Sequence, residues 1–507
     1  MASHPPVSDH SSSALNDDFK PSPREAFHTN PDLCRYMLRT VTSAVPLAIR
    51  SALVSMGSGL FVGNAVEEGR EIYRSEPMIS CIDADKDTEC QKKGWSKFHM
   101  EECKILNQTP KLRPYHLVLH RLLFWQRRKF ISTEQGKALD YLETHFLDYS
   151  DDEDRATEIY EQATGIRDAT RKTARMDLVW KLVPAMMTNC IPIRQAAQKE
   201  SIGAALDLVT SVINHSCDPN AFVFFEGNQL RVRSLKKIAA NEEITICYTD
   251  PTISVAMRQE ILKRSHFFDC RCTRCRAEER EHAAILKDQK GQSSLEILHQ
   301  AQRDLVALMR STALAHKYPG LHPDFENLGA VETQLRTISL RAFPVSSWPD
   351  HIEPLPSSRL ALAMFHLERG KRVSALRNAL WGKLASHRRG GPEWVNEMLD
   401  VFRVLISLGS PPPPSPDEGL IPELIDIRTV AYGYLYELCK QAAKFFGGDS
   451  EYTMGIGNMY ATVLEKTQTG SPKPGTEEFE KMFDDAQAKL MKWAHVPTGY
   501  GVVLSPQ

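Results

Sequence analysis

The sequence has no run of about 18 apolar residues, the length a membrane-spanning helix needs, so no transmembrane helix and no membrane partner are expected. It also has almost no net charge: 62 Lys and Arg against 64 Asp and Glu leave −2 at pH 7. That balance supplies no broad basic field for nucleic acid or acidic lipid. Short basic stretches such as RRK (127–129) and HRR (387–389) read as solvated helix faces. Residues 1–31, MASHPPVSDHSSSALNDDFKPSPREAFHTNP, lack the apolar centre of a secretory signal and are rich in Ser, Pro and Asp, as disordered tails are. The expected residence is therefore the nucleus and/or the cytoplasm. In those compartments the eleven cysteines are reduced thiols or metal ligands and not a disulfide framework.

What is present is an ordinary globular composition, 42% hydrophobic and 25% charged over 507 residues, enough for several domains. Residues 47–80 read as short strands punctuated by Gly57, Gly59, Gly63 and Gly69. From 112 to 147 apolar positions recur at helical spacing. The acidic DYSDDED (148–154) reads as a linker or a helix start, and helical patterning resumes over 155–188. AFVFFEGNQLRVRSL is two β-rich runs around Gly227-Asn228, a hairpin signal, and EEITICY (242–248) alternates as strands do. Beyond about 280 the pattern is helical almost to the end, broken by GSPPPPSPDEG (409–419), which reads as an exposed loop. Helix pairs there suggest an α-solenoid-like block, though without a strict repeat of about 34 residues. The fold class expected is α+β: a β-rich unit split by a helical insertion and followed by an all-helical domain.

The cysteines are unevenly spread. Cys34, Cys190, Cys247 and Cys439 stand alone and read as small buried hydrophobes. CRCTRC places Cys270, Cys272 and Cys275 within six residues, and three thiolates so spaced can all reach one zinc at about 2.3 Å. A structural zinc takes four ligands, and Cys217 in NHSCDPN (214–220) is the best candidate for the fourth. The alternative is an exposed thiol cluster with no metal. His215 stands two residues from Cys217, but four thiolates already close such a site. As a catalytic Cys/His pair the two lack a reason, being neighbours in the chain and not brought together by a fold. The bland alternative is that His215 satisfies a buried loop.

NHSCDPN, then NEEITICYTD (241–250), then CRCTRC is an order that resembles SET-domain lysine methyltransferases, and most of all the SET-and-MYND family. SMGSGLF (55–61) looks like the family's glycine motif, TECQKKGWSKFHMEEC (88–103) like the tail of a MYND zinc finger, and the helical C-terminal part like its tetratricopeptide-like domain. The motifs cover roughly residues 45–280; over 281–507 the likeness rests on helical character and position. The resemblance implies a SET domain of short twisted sheets with a pseudoknot-like core. It divides the chain into a disordered tail (1–40), the N-terminal part of the SET domain (41–80), a degenerate MYND-like segment (81–104), a helical insertion (105–200), the C-terminal part of the SET domain (201–265), a post-SET zinc segment (266–280) and a helical domain (281–507).

The resemblance also implies S-adenosylmethionine as cofactor, one structural zinc on Cys217, Cys270, Cys272 and Cys275, and a lysine-bearing protein substrate, histone or non-histone. Gly57, Ser58 and Gly59 would let the backbone approach the cofactor, Asn214 and His215 would hold it, and Asn189 and Phe268 would contact it. Tyr248 would be the catalytic tyrosine; taken without that context, it reads as a buried strand aromatic. A lysine amine has an ordinary pKa of about 10.4 and must be neutral to attack. A narrow apolar channel favours the neutral form, and positioning does most of the rest.

One segment departs from the family. Cys90, His99 and Cys103 keep MYND spacing around Trp95, but Lys86 stands where the finger has a cysteine, and the upstream cysteine pairs are missing, with Cys81 a weak remnant. The surviving ligands would serve different ions, so this segment is expected to bind no zinc tightly; the alternative is one improvised site of Cys81, Cys90, His99 and Cys103. Three functional readings compete: a protein-lysine methyltransferase, a catalytically weak SET scaffold that binds protein partners through its helical C-terminal domain, and a zinc-dependent nucleic-acid module. Near-neutral charge and the broken finger count against the third. The complete glycine motif, Asn214-His215 and Tyr248 count against the second.

Overall fold

The computed structural model describes residues 26–52, 57–82, 114–170, 174–196, 200–318, 320, 323–384, 390–409, 421–422, 425–466, 471–496 and 502. Cys90, His99 and Cys103, residues 1–25 of the tail expected over 1–40, and the proline-rich stretch 410–419 lie outside them; the end of that expected tail is ordered instead, with a helix over Pro31–Arg39 capped by Asn30. Among the described residues eleven short strands follow one another: β1 (Thr42–Ser43), β2 (Leu47–Ser51), β3 (Ser58–Val62), β4 (Glu71–Ser75), β5 (Ile79–Ile82), β6 (Ile191–Pro192), β7 (Gly203–Leu206), β8 (Asn214–His215), β9 (Ala221–Glu226), β10 (Gln229–Ser234) and β11 (Thr245–Ile246). They form a four-stranded sheet in the order β1-β4-β10-β9, a three-stranded sheet β5-β7-β6, the antiparallel pair β2-β3 and the pair β8-β11.

Three of these pairings bear on function. The expected hairpin forms, with Glu226 opposite Gln229 and Gly227 at φ +59, a left-handed turn that glycine adopts without strain. The segment 242–248 is strand only over Thr245–Ile246, because its two ends are used differently. Its N-terminal end pairs irregularly with β3, through Val62 N–H to the Glu242 carbonyl (3.2 Å) and Ile244 N–H to the Leu60 carbonyl (2.8 Å). β11 then runs parallel to β8, with Thr245 beside Asn214 and Ile246 beside His215. The β9–β10 hairpin lies between these two segments in sequence, so the chain returns past itself at residues 214–215.

The helical insertion is broken where its sequence places caps. Helix α1 (Pro31–Arg39) lies before the first strand; within the insertion α2 (Pro114–Arg127), α3 (Thr133–Tyr141) and α4 (Phe146–Ser150) precede α5 (Glu153–Ala169) and α6 (Met176–Asn189). Ser132 and Gln135 form a capping box that starts α3, so residues 112–147 do not make one helix. Asp152 accepts the Arg155 N–H, so the acidic stretch begins a helix and does not serve as a spacer. Helix α7 (Val255–His266) starts on Ser254 and stops at Phe267, whose φ of +58 is unusual for a bulky residue. That reversal turns the chain so that Phe268 and Cys270 face back toward β8.

The rest is helical. It comprises α8 (Thr273–Lys287), α9 (Leu295–Lys317), the short α10 (Pro323–Glu326), α11 (Leu328–Ala342), α12 (Leu355–Glu368), α13 (Arg372–Leu384), α14 (Pro392–Ser407), α15 (Ile427–Phe446), α16 (Glu451–Lys466) and α17 (Glu477–Trp493). Sequential neighbours from α12 to α16 pack pairwise, and α17 returns onto α15. This block is fixed to the β-rich unit. Phe446 meets Phe222 and Phe224 edge-on at 5.8 and 5.3 Å, and Ala196 and Phe224 belong to the helical core. The buried Arg231 of β10 pairs with Glu71 (2.6 Å), Glu226 (2.5 Å) and Asp449 (3.0 Å) in the α15–α16 turn. A buried guanidinium left without these carboxylates would be strongly destabilising.

Candidate functional site

The glycine motif sits at the head of β3. Gly57 has φ +68, with nothing within 4 Å of an added Cβ, so its requirement is conformational. Gly59 has another reason: a Cβ there would overlap the Glu243 carboxylate. That carboxylate accepts the Asn214 side-chain amide at 2.6 Å, and the same amide donates to the Ser58 carbonyl at 3.1 Å. Asn220 completes the seam. Its amide donates to the Glu243 carbonyl (2.8 Å) and to Glu242 (3.2 Å), and its oxygen accepts the Thr245 N–H (2.8 Å). These bonds fasten β3, β8 and β11 where β8 and β11 run parallel. Glu243 and Asn220 lie within NEEITICYTD and NHSCDPN; their sequence signal is a carboxylate and an amide bounding the two segments that must pair.

Tyr248 stands just past β11. Its hydroxyl donates to the Ile213 carbonyl at 2.6 Å and its N–H donates to His215 Nδ1 at 2.9 Å. Burial, helped by the nearby Glu243 carboxylate, holds the phenol well above its ordinary pKa, so it is a hydrogen-bond donor at neutral pH. The Tyr248 ring lies 4.7 Å from the His266 ring and 5.1 Å from that of His215; Phe268 is 5.7 Å from His215. Burial, then the neighbouring His145 and His215, bring the His266 pKa down to about 4, which keeps that imidazole neutral at pH 7.

One cavity of about 1890 Å³ takes in Gly57, Ser58, Asn189, Asn214, His215, Tyr248 and Phe268. Leu360, Met364, Glu393 and Phe446 of the helical block wall its other side. Gly59 faces Glu243 instead. Asn189, the last residue of α6, is buried, and its amide donates to the Glu143 (2.6 Å) and Ala185 (2.8 Å) carbonyls. A volume of this size, with mixed polar and apolar walls, suits a nucleoside-sized ligand together with an extended side chain.

The cysteines converge. The sulfurs of Cys217, Cys270, Cys272 and Cys275 all lie within 4.8 Å of one another. Four thiols at that spacing fit a tetrahedral zinc with Zn–S bonds of about 2.3 Å, which would fix the post-β11 segment and supply no reaction chemistry. Cys217 follows β8, Cys272 occupies the N-cap position of α8, and Cys275 lies in its first turn, where the helix dipole favours thiolates. The Gln259 side chain binds both main-chain groups of Cys270, at 2.5 and 2.8 Å. Arg274 donates to the Cys217 carbonyl at 3.0 Å, and the fully buried Arg258 reaches Cys275 Sγ at 3.8 Å and Glu278 at 2.7 Å. Arg258, Arg274 and Gln259 carried no sequence signal. Cys247, read as a lone hydrophobe, is half-buried beside this cluster, with its sulfur 3.5 Å from the Thr249 hydroxyl. Cys81 is buried in β5.

The SET-domain family model matches residues 57–249, which hold Tyr248 and Cys217 but stop short of Cys270, Cys272 and Cys275. Histone-lysine N-methyltransferase SMYD3 of Homo sapiens is 28% identical over 210 residues, 40% of this chain and 48% of that protein. SET domain and MYND-type zinc finger protein 6 of Schizosaccharomyces pombe is 27% identical over 236 residues, 45% of this chain and 44% of that protein. A crystal structure of the SET domain of LSMT bound to lysine and AdoHcy covers 86% of this chain and 92% of that one, at 11% identity and a TM-score of 0.32. The chain spans about half the length of the curated relatives it matches.

Proposed function

We propose that this chain, a SET-domain protein of the SET-and-MYND kind, is an S-adenosylmethionine-dependent protein-lysine N-methyltransferase acting on histone and/or non-histone proteins. The observation that carries the reading is that the half-buried Tyr248, its hydroxyl anchored on the Ile213 carbonyl, lines the same cavity as Gly57, Ser58, Asn214, His215 and Phe268.

Bound S-adenosylmethionine would supply a methyl group on a sulfonium. Gly57, Ser58, the main chain of Asn214 and His215, and the ring of Phe268 hold the cofactor in this reading, with Asn189 offering its side-chain oxygen. Gly59 acts behind them, through Glu243 and Asn214. Burial beside Tyr248, the same desolvation that keeps the neighbouring His266 imidazole neutral, disfavours an ammonium, so the substrate amine loses its proton to solvent before it enters. Tyr248 and the carbonyls beside it then fix the direction of the amine's lone pair, an effect of positioning. The four cysteines are structural. The helical block forms the outer wall of the substrate cleft and can also present a surface to protein partners. We place the SET parts at 41–80 and 201–265, the post-SET zinc segment at 266–280 and the helical domain at 281–507. Residence in the nucleus or cytoplasm is part of this reading, and no disulfide links the described cysteines. No helix among the described residues is long and apolar enough to cross a membrane.

Isothermal titration of the full chain with S-adenosylmethionine tests the reading. Saturable binding near one cofactor per chain, weakened at least about tenfold by Asn214→Ala, is the expected result. Absence of binding by a folded, zinc-loaded protein removes it.

A further inference from the structure

Both nitrogens of the His215 ring are engaged inside the protein. The ring is buried, and Nδ1 receives the Tyr248 N–H at 2.9 Å. A backbone N–H can only donate, so Nδ1 carries a lone pair and the ring proton sits on Nε2. Nε2 lies 3.2 Å from Cys217 Sγ. A cysteine sulfur that binds metal is a thiolate, and a thiolate accepts. The ring therefore donates to Cys217 and accepts from Tyr248, which leaves only the main chain of His215 for the cofactor.

Tyr248 is thus held at both ends by one short segment. Its hydroxyl rests on the Ile213 carbonyl and its main chain on the His215 imidazole, and that segment ends at Cys217. We propose that His215 is a positioning residue that couples the four-cysteine cluster to Tyr248, so that the metal site sets where the tyrosine hydroxyl stands. The kinetic half of this inference rests on the methyltransferase reading; the metal half stands without it. A displacement of about 1 Å at a catalytic group can cost on the order of a hundredfold in rate, so movement of Cys217 on loss of metal would be felt at the reaction.

Two variants separate the two bonds. His215→Asn keeps an acceptor near the Nδ1 position and loses the reach to sulfur; His215→Gln keeps an N–H that reaches the sulfur and loses that acceptor. Zinc release from the purified full chain is followed with a chromogenic chelator, and methyl transfer is measured on the same preparations. The Asn variant is expected to release zinc about tenfold or more faster than the Gln variant. The Gln variant is expected to lose about tenfold more kcat than the Asn variant, with KM for S-adenosylmethionine moving less than kcat in both. The same order in both measurements, or no difference in zinc release, overturns the proposal, because a residue that merely supports the fold would lower both together. A third measurement needs no variant. Stripping zinc from the wild-type chain should speed hydrogen exchange in the peptide carrying the Tyr248 amide about tenfold, with the β9–β10 hairpin unaffected; unchanged exchange at Tyr248 overturns it. If the wild-type chain neither binds S-adenosylmethionine nor transfers a methyl group, the methyltransferase reading fails, and zinc release and exchange still decide whether His215 links Cys217 to Tyr248.

Discussion

The side-chain amide of Asn214 donates to the carboxylate of Glu243 across 2.6 Å, joining the two segments that run parallel at the centre of the β-rich unit. Because Gly59 packs against that same carboxylate, the glycine motif supports the site from behind as well as lining it.

A methyl group at position 59 forces Glu243 to move. Gly59→Ala is expected to destabilise the fold by about 1–3 kcal/mol, the usual range for overpacking, and to weaken S-adenosylmethionine binding through Asn214. Glu243→Ala removes the obstacle together with a charged acceptor. The double variant should therefore be less destabilised than the sum of the singles by about 1 kcal/mol or more. Chemical denaturation of the four proteins measures this; strict additivity contradicts the packing described.

His266 makes stability depend on pH. Its pKa in the fold is about 4, against about 6.5 for an unfolded histidine. Between those values the unfolded chain takes up a proton that the folded chain refuses. The contribution is therefore complete above about pH 6.5 and is lost as the pH falls toward 4, by up to about 3 kcal/mol. His266→Phe should flatten this part of the stability curve. Denaturation midpoints at pH 7, 5.5 and 4 would show it, and an equal slope in variant and wild type would contradict it.

Elemental analysis should find about one zinc per chain, lost on Cys272→Ser. Chelation should loosen the segment from Tyr248 to α8 more than the helical block, because Cys217, Cys270 and Cys275 are buried in their own small cluster with Tyr248 and Phe268 against it. Two or more zincs per chain would show that the segment carrying Cys90, His99 and Cys103 closes a second site.

Much of the site was legible because its chemistry is written in short segments. CRCTRC, NHSCDPN and the Gly227 hairpin each need particular residue types at fixed spacing, and the structure brings the four cysteines together and forms the hairpin as that spacing predicts. What was not legible depends on residues far apart in the chain. The Arg231–Asp449 pair spans 218 positions, and the wall that Leu360 and Phe446 give the cavity follows from how the helices stack, which apolar periodicity does not specify. The ring of His215 shows a finer limit. Its place in the motif was visible, but its use, one nitrogen to Tyr248 and one to Cys217, follows from the parallel pairing of β8 and β11.

The most direct measurement is transfer of labelled methyl from S-adenosylmethionine to lysines of a whole-cell protein lysate, comparing the wild-type chain with Tyr248→Phe. The wild type should label lysine side chains. The variant, lacking the hydroxyl that donates to the Ile213 carbonyl, should bind the cofactor with similar affinity and transfer roughly a hundredfold more slowly. Equal rates in the two proteins, or no lysine labelling by a wild-type chain that binds the cofactor, would contradict the assignment.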